Sequence, residues 1–336
     1  MYKHTLHKIM ALLFILILSS CQQEPNILYS NADMVTCGNS DENEELYKLN
    51  EIYFNNEDKL TFRLHIVYFT NGTPSLDSTK LITTAKVIND FFNNNNANIN
   101  FKVEAIKIIK STPEEDSTVL PFIKDIERVK SKGKKIESIR KSYNMAQFKF
   151  WHTLFGMDDA INMYVFDNDG DSNVSGQAGG VGLNFFAIKA EFCNTMYNTA
   201  VHEISHCLGL LHIQTKDKTN GFSNLTGDGI CDTPSSPSLL GLVDENCELK
   251  DHWEELVKDF SYTNEGNDYS ILHKLTKEQF YIITHNVMGY ANQVCRINFT
   301  EQQIRRMRKS IEVSSDLKKC IVGFEKYNLD FLNEIK

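Results

Sequence analysis

The stretch His202-Glu203-Ile204-Ser205-His206-Cys207-Leu208-Gly209-Leu210-Leu211-His212 places three histidines and a glutamate in a spacing that suits a metal ion. Residues four apart on a helix share one face, so His202 and His206 can present two imidazoles to one zinc ion. Glu203 lies about 100° around the helix from His202, beside the metal. A carboxylate there can act as the general base for an attacking water.

Gly209 allows the stretch to supply a third ligand. A glycine adopts positive φ without steric cost, so it can end the helix sharply and bring His212 back to the same metal. Three protein ligands leave one coordination position open, as a catalytic zinc needs and a structural zinc does not. Chance would produce the whole pattern on the order of once in tens of thousands of such chains. The stretch therefore predicts a catalytic zinc centre.

This extended motif resembles the signature of the metzincin metallopeptidases, and three further segments resemble the pappalysin family among them. They are Gly-Asp-Gly-Ile-Cys-Asp-Thr-Pro at 227–234, Asn-Val-Met-Gly-Tyr at 286–290 and Phe-Thr-Glu-Gln-Gln-Ile-Arg-Arg-Met at 299–307. The resemblance covers roughly residues 58–312, in the order and spacing of the family. It implies a zinc-dependent endopeptidase that hydrolyses peptide bonds in proteins, with Glu203 as its general base.

The resemblance also assigns roles to Met288 and Tyr290. In the family, a methionine turn lies beneath the zinc and supports the ligand histidines, and Met288 takes that place here. The tyrosine two residues later helps to stabilise the oxyanion of the tetrahedral intermediate, which assigns Tyr290; a phenol donor suits a developing negative charge. Gly289 departs from the commoner Met-Asp-Tyr form. This difference leaves open which groups form the hydrogen bonds of the turn, but it does not affect the assignment of the zinc ligands.

The loop around 227–234 raises the question of a second metal. In relatives it is associated with a calcium ion near the primed side of the cleft, and Asp228, Asp232 and Thr233 would be the oxygen donors here. Such a set of hard ligands suits calcium. The alternative, a turn that ends in proline and binds no metal, stays open.

Cys37-Gly38 resembles the cysteine-switch element of pappalysin pro-segments, in which a thiolate occupies the open zinc position. Sulfur is a soft ligand that zinc accepts. A disulfide between Cys37 and the body of the protein is the alternative, and the sequence does not decide between them.

The other cysteines are compatible with an exported protein. The chain has eight cysteines, so a lipidated Cys21 would leave an odd number and at least one thiol without a disulfide partner. Cys207 either pairs with Cys193 or is a buried thiol. By the resemblance, three cysteines lie where relatives carry disulfides, with partners unassigned: Cys231, Cys247 and Cys295.

The N-terminus has the pattern of an export signal. Basic residues precede an apolar run from Ile9 to Leu18 that is too short to span a bilayer comfortably. Leu18-Ser19-Ser20-Cys21 resembles a bacterial lipoprotein lipobox, which implies cleavage before Cys21 and lipid attachment to its thiol. An ordinary secretory signal with an incidental cysteine is the alternative. We therefore expect an exported lipoprotein of the bacterial cell envelope, at the outer membrane or cell surface, with a signal peptide at 1–20, a tether and short pro-segment at 21–58 and a metallopeptidase domain at 59–336.

Alternating apolar and polar residues predict a sheet with helices packed on it. Strands are predicted from Leu60 to Tyr68, at 99–105, 160–166 and 181–188, and helices at 76–92 and in the lysine-rich stretch 117–143. The fold class is α+β. Metzincin architecture adds an upper subdomain with a twisted mixed sheet and two long helices, one of them the zinc helix, and an irregular lower subdomain after Gly209. The substrate is expected to pair with an edge strand around 179–185.

The charge of the chain excludes one class of partner. A net charge of −9 without a basic run is a poor match for nucleic acid. The expected partners are a protein or peptide substrate, and a membrane only through a lipid anchor at Cys21.

Two rival functions are a surface binding protein that keeps a zinc domain without turnover and a hydrolase acting on other bonds. The presence of Glu203 and all three ligands argues against the first, and the family resemblance against the second.

Overall fold

The structure, a computed structural model, describes residues that all lie within the compact unit spanning 36–336. The signal peptide, Cys21, Cys37, Cys231 and the predicted helix at 117–143 lie outside the described residues, and the domain boundaries stay a prediction. The described ranges are 58–70, 74–110, 148–167, 175–193, 198–214, 228, 230, 232–234, 236–259 and 269–324.

A five-stranded mixed sheet forms the centre of the fold, as predicted. Its spatial order is β2-β1-β3-β5-β4, with β4 antiparallel to β5 and the other neighbouring strands parallel. The strands are β1 Leu60–Thr70, β2 Ile99–Lys110, β3 Ile161–Phe166, β4 Gly176–Ala178 and β5 Phe185–Lys189.

The edge of this sheet differs from the sequence prediction. The strand predicted at 181–188 begins only at Phe185, because the residues before it form a turn in which Gly182 has a φ of 77°. Phe185 belongs to β5, which lies between β3 and β4, so the edge strand proposed around 179–185 is wrong. The edge strand next to β5 is β4, Gly176–Ala178, and β2 forms the opposite edge of the sheet. A three-residue strand next to glycines is too short for alternation to reveal.

Helices cover both faces of the sheet. They are α1 Ser78–Asn94, α2 Phe148–Phe155, α3 Thr199–Cys207, α4 Trp253–Asp259, α5 Lys277–His285, α6 Glu301–Val313 and α7 Ser315–Lys319, with 3-10 turns at Ala190–Phe192 and Tyr269–His273. The prediction at 76–92 is confirmed by α1, whose first turn is capped by Asp77 accepting from the Lys80 amide at 2.8 Å. The zinc helix α3 has nine residues, so it is shorter than the long helix that was predicted.

Two apolar clusters hold these layers together. On one face, α1 and α3 pack against β1, β3 and β5 with fully buried side chains such as Leu81 and Ile204. On the other face, aromatic residues of β1 and α2 pack together, with Phe69 and Trp151 ring centroids 5.5 Å apart. Burial on both sides explains why β3 is apolar at every position except Asn162. The α+β mixed sheet with packed helices is consistent with a metzincin-type zincin.

Within the residues described, no helix is long and apolar enough to cross a membrane.

Candidate metal centre

The helix α3 ends in the sharp turn that the sequence predicts. Gly209 has a φ of +100°, its amide donates to the His206 carbonyl at 3.0 Å, and the Leu210 amide donates to the Ser205 carbonyl at 3.0 Å. This is the Schellman pattern that closes a helix with glycine just past its end. A Cβ at position 209 would also collide with the side chain of Ser310, so glycine is required there for two reasons.

The turn brings three histidine nitrogens together. The Nε2 atom of His202 lies 3.0 Å from Nε2 of His212 and 3.2 Å from Nε2 of His206. The Nε2 atoms of His206 and His212 are 3.0 Å apart. Four-coordinate zinc with bonds of about 2.0–2.1 Å places its ligand nitrogens about 3.3 Å apart. The convergence of three ring nitrogens therefore fits one zinc ion, with only a small adjustment.

Backbone carbonyls orient two of the rings. The Nδ1 atom of His202 donates to the Val287 carbonyl and that of His206 to the Leu210 carbonyl, each at 2.7 Å. These hydrogen bonds place the proton on Nδ1 and leave the Nε2 lone pair for the metal. Burial lowers the pKa of His206 to about 4 and takes the pKa of His202 well below its ordinary value, so both rings are neutral at pH 7.

Glu203 is buried beside the histidines, with 6% of its surface exposed. Burial raises the pKa of its carboxyl to about 8, opposed by a hydrogen bond from the Ala178 backbone and by the positive charge of Arg296. The edge strand β4 packs directly on this side chain, because a Cβ added at Gly176 would lie 2.8 Å from Glu203 Oε1. The candidate general base therefore lies between the zinc helix and the edge of the sheet.

The turn after α5 brings Met288 and Tyr290 to the same centre. Met288 is fully buried, and its amide donates to Asn286 Oδ1 at 2.9 Å. The hydroxyl of Tyr290 lies 3.1 Å from His212 Nε2. Tyr290 therefore lies next to a predicted ligand and Met288 lies buried in the same turn, and the roles of both residues stay predictions.

Gly289 has a local explanation in this turn. A Cβ there would lie 3.0 Å from Ile213 Cδ1 and 3.1 Å from the Ile283 carbonyl oxygen, which leaves little room for a side chain. The Gly289 amide donates to the Asn286 carbonyl at 3.1 Å, and its carbonyl accepts from Arg296 Nη1 at 3.2 Å. Backbone groups and an arginine thus supply the hydrogen bonding that the sequence left open.

Arg296 is the residue near the centre that sequence reasoning missed. Its side chain is 7% exposed and interacts electrostatically with Tyr290 and Glu203. Its carbonyl accepts a hydrogen bond from Asn198 Nδ2 at 2.6 Å, which ties it to the start of α3. A lone arginine after a turn is normally read as a surface residue. The one available signal was its position next to Cys295, a predicted disulfide cysteine.

The residues predicted to bind calcium surround the first turn of α6. Asp228 is buried and accepts from the Ile230 amide and, at 3.3 Å, from Gln303 Nε2. Asp232 Oδ2 accepts from the Gln302 amide at 2.9 Å, whereas Asp232 Oδ1 is buried without a partner. Thr233 Oγ1 lies 3.5 Å from the Thr300 hydroxyl, on the same turn. Across the described ranges, the three histidines form the only group of three or more His, Cys, Asp or Glu side chains placed to hold a metal. Calcium stays a prediction.

The cysteine predictions are partly resolved. Cys247 and Cys295 form a disulfide, which confirms their predicted involvement in disulfides and assigns them to each other. Cys193 and Cys207 are buried free thiols, so the pairing considered for them does not occur. Cys320 is a third buried free thiol, and burial raises the pKa of the Cys193 and Cys320 thiols to about 12.

The fold and the three converging histidines are consistent with a metzincin-type zincin, and comparison with known proteins bears on the family of the chain. Residues 177–312 match the Peptidase_M43 family model, described as pregnancy-associated plasma protein-A. The match identifies this segment as a pappalysin-family metzincin sequence, which confirms the resemblance and indicates a zinc metalloendopeptidase.

Two further comparisons add little. No curated protein matches the chain in sequence. A chain of a solved structure titled "Structure of a chaperone-substrate complex" is similar at 16% identity, over 48% of this chain and 25% of that one, with a TM-score of 0.29. This chain therefore spans about a quarter of the length of that protein, and a likeness of this size supports no argument.

Proposed function

We propose that this protein is a zinc-dependent endopeptidase in which Glu203 activates the water that attacks the scissile peptide bond. The observation that supports it most strongly is the convergence of His202, His206 and His212 at 3.0–3.2 Å, with a buried carboxylate on the same helix. Zinc, when bound, polarises a carbonyl and makes water a stronger acid.

The chain's own residues would supply the proton transfers. Glu203 accepts a proton from the attacking water and returns it to the leaving amine. The hydrogen bond from the Ala178 backbone orients the carboxylate for both steps. Because that backbone belongs to β4, the strand that would hold the substrate also holds the base.

Two further elements would position the reacting peptide. An extended substrate can add to the edge strand β4 by main-chain pairing, which would bring its scissile carbonyl past Glu203. The Tyr290 hydroxyl, 3.1 Å from His212 Nε2, lies close enough to the metal position to donate to the oxygen that becomes negative.

The proposal is tested with a mixed peptide library, incubated with the protein with and without a chelator and with the Glu203→Ala variant. We expect cleavage by the wild-type protein that the chelator abolishes and that the variant lacks although it keeps its zinc. Stoichiometric zinc without cleavage of any peptide would instead support the surface binding protein.

Calcium binding at Asp228, Asp232 and Thr233 is a secondary proposal. It is supported by the buried Asp232 Oδ1 without a partner and by a cavity of about 260 Å³ that Asp232 and Thr300 help to line. Calcium binding would raise the melting temperature of the wild-type protein and not of Asp232→Asn. Equal melting temperatures with and without calcium would contradict it.

Export and lipid attachment at Cys21 are likewise proposed. The Cys247–Cys295 disulfide supports an oxidising compartment. Metabolic labelling with a fatty acid should mark the wild-type chain and not Cys21→Ser, and equal labelling would contradict the anchor.

Inhibition by Cys37 is proposed on the resemblance alone, and Cys37→Ser should then be more active than the wild-type protein before any processing.

A further inference from the structure

The edge strand β4 is short, so its position depends on the groups packed around it. It has three residues, which pair with β5 on one side. Among the described strands, none lies on its other side, which is the side that the proposed substrate would take. Gly176 in this strand packs on the Glu203 side chain. A small shift of β4 would therefore change the place where the substrate pairs.

The residue after β4, Gly179, lies against an aromatic ring of the neighbouring strand. Its amide donates to the Phe185 carbonyl at 2.8 Å, and a Cβ added at Gly179 would collide with the Phe185 ring. The φ of Gly179 is not positive, so glycine is required here by the close contact and not by the backbone conformation. The position of the Phe185 ring therefore limits where the end of β4 can lie.

The Phe185 ring is held in turn by His152 of α2. The two rings stack with their centroids 3.9 Å apart and an angle of 10° between their planes. His152 Nδ1 also lies 2.9 Å from the hydroxyl of Tyr164, a fully buried residue of β3. Burial lowers the pKa of His152 to about 4, so its ring is neutral at pH 7. The stack is therefore a contact between two uncharged rings, one of which is anchored in the sheet.

A second glycine makes room for the other end of this stack. Gly156 follows α2, and a Cβ there would lie 2.5 Å from His152 Nδ1. The Gly156 amide donates to the His152 carbonyl at 2.8 Å. Glycine thus occupies both positions at which a side chain would displace one of the two rings. A continuous series of contacts leads from α2 through His152 and Phe185 to the end of β4.

We propose that His152 is a positioning residue for the peptidase reaction. Through Phe185 and Gly179 it holds β4 at the place from which this strand pairs with the main chain of the substrate. The inference rests on the proposed function and adds a residue that contacts neither the substrate nor the metal. Without the His152 ring, the Phe185 ring can move, and the end of β4 can move with it. Extended substrates then lose main-chain pairing although every zinc ligand is unchanged.

The first test compares two peptides in the zinc-loaded protein, a long one that can pair along the whole of β4 and a short one with the same scissile bond. We expect His152→Ala to lower kcat/KM for the long peptide roughly 10- to 100-fold, because a misplacement of about 1 Å can cost about 100-fold. The short peptide should lose much less. Equal losses for the two peptides would overturn the inference, since a general loss of folded protein affects both alike.

Two further variants show whether the stacked ring is the cause. His152→Phe keeps a ring in the stack and should retain the wild-type ratio of the two kcat/KM values. Phe155→Ala is the matched control on the same helix, because the Phe155 ring packs against Phe69 and Trp151. It should lower the free energy of unfolding and leave the ratio unchanged. A ratio that falls as far in Phe155→Ala as in His152→Ala would contradict a specific role for His152.

The second test examines the series of contacts itself. Gly179→Ala places a methyl group against the Phe185 ring and should lower kcat/KM for the long peptide. In the His152→Ala background the ring is free to move away, so the same substitution should cost much less. Equal costs in the two backgrounds would overturn the inference. His152→Leu, which keeps apolar volume without a flat ring, replaces His152→Ala in both tests if the alanine variant does not fold.

Failure of the proposed function gives a different result. If the zinc-loaded wild-type protein cleaves neither peptide, the peptidase function fails, and the affinity of the long peptide decides this inference. Weaker binding of that peptide to His152→Ala than to the wild-type protein then supports it. Equal binding, or no binding to either protein, overturns it.

Discussion

The Nδ1 atom of His202 donates a hydrogen bond of 2.7 Å to the carbonyl oxygen of Val287, a residue 85 positions later in the chain. This bond joins the first predicted zinc ligand to the turn that contains Met288. The orientation of the ligand and the packing of the turn are therefore coupled. A substitution in the turn should change zinc affinity although it touches no ligand directly.

Met288→Ala tests this coupling. The Met288 side chain is fully buried, so its truncation should cost about 2–5 kcal/mol of unfolding free energy and weaken zinc binding about 10- to 100-fold. Met288→Leu keeps the volume and should cost less than about 1.5 kcal/mol, with zinc affinity nearly unchanged. Denaturant unfolding and a competitive zinc titration measure both. Unchanged zinc affinity in Met288→Ala would show that the turn does not support the ligands.

Gly209→Ala should destabilise the protein for two reasons. Alanine at this position would have to keep a φ of +100°, and its Cβ would collide with the side chain of Ser310. We expect the free energy of unfolding to fall by about 1–2 kcal/mol because of the backbone angle and by about 1–3 kcal/mol because of the collision. Gly323→Ala is the matched control, because Gly323 has a φ of +79° but no atom within 4 Å of a Cβ. It should show the backbone cost alone. Equal losses in the two variants would mean that the collision is absorbed.

Tyr290→Phe removes the hydroxyl that lies next to His212 Nε2. Loss of one donor to an oxyanion typically lowers kcat about 10²- to 10³-fold. We expect this loss in steady-state peptide cleavage, with zinc content unchanged. Tyr281→Phe is the control, because the Tyr281 side chain is 51% exposed and should be replaceable without effect. A wild-type kcat in Tyr290→Phe would exclude the predicted role.

The disulfide between Cys247 and Cys295 should contribute strongly to stability. It closes a loop with a sequence separation of 48, for which the chain-entropy relation gives about 4 kcal/mol. The double variant Cys247→Ser/Cys295→Ser should lose about that amount in denaturant unfolding. Cys193→Ser serves as the comparison for replacing a cysteine that has no disulfide. A double variant as stable as the wild-type protein would show that the loop is held by other contacts.

Short-range chemistry explains what the sequence could predict. Residues four apart on one helix, a glycine with positive φ at its end and a returning histidine are determined locally, so the convergence of the three histidines around α3 was predictable residue by residue. Long amphipathic elements such as α1 were equally clear, because their apolar period extends over several turns.

The parts that could not be predicted depend on contacts between distant segments. The edge strand Gly176–Ala178 has only three residues, and its pairing with β5 cannot be read from alternation. The burial of Arg296 comes with hydrogen bonds to Gly289 and Asn198, and its position next to Cys295 does not specify these contacts. The disulfide partner of Cys247 likewise depends on how the chain folds and cannot be predicted from the spacing of the cysteines in the sequence.

A zinc reconstitution titration tests the central claim most directly. Protein depleted of metal by a chelator is given increasing zinc, and peptide cleavage is followed in the wild-type protein, in Glu203→Gln and in His206→Ala. We predict that wild-type activity rises until one equivalent of zinc is bound, that Glu203→Gln binds the same equivalent but is at least about 10²-fold slower, and that His206→Ala binds zinc weakly. Cleavage that survives complete metal removal, or full activity in zinc-loaded Glu203→Gln, would contradict the proposed mechanism.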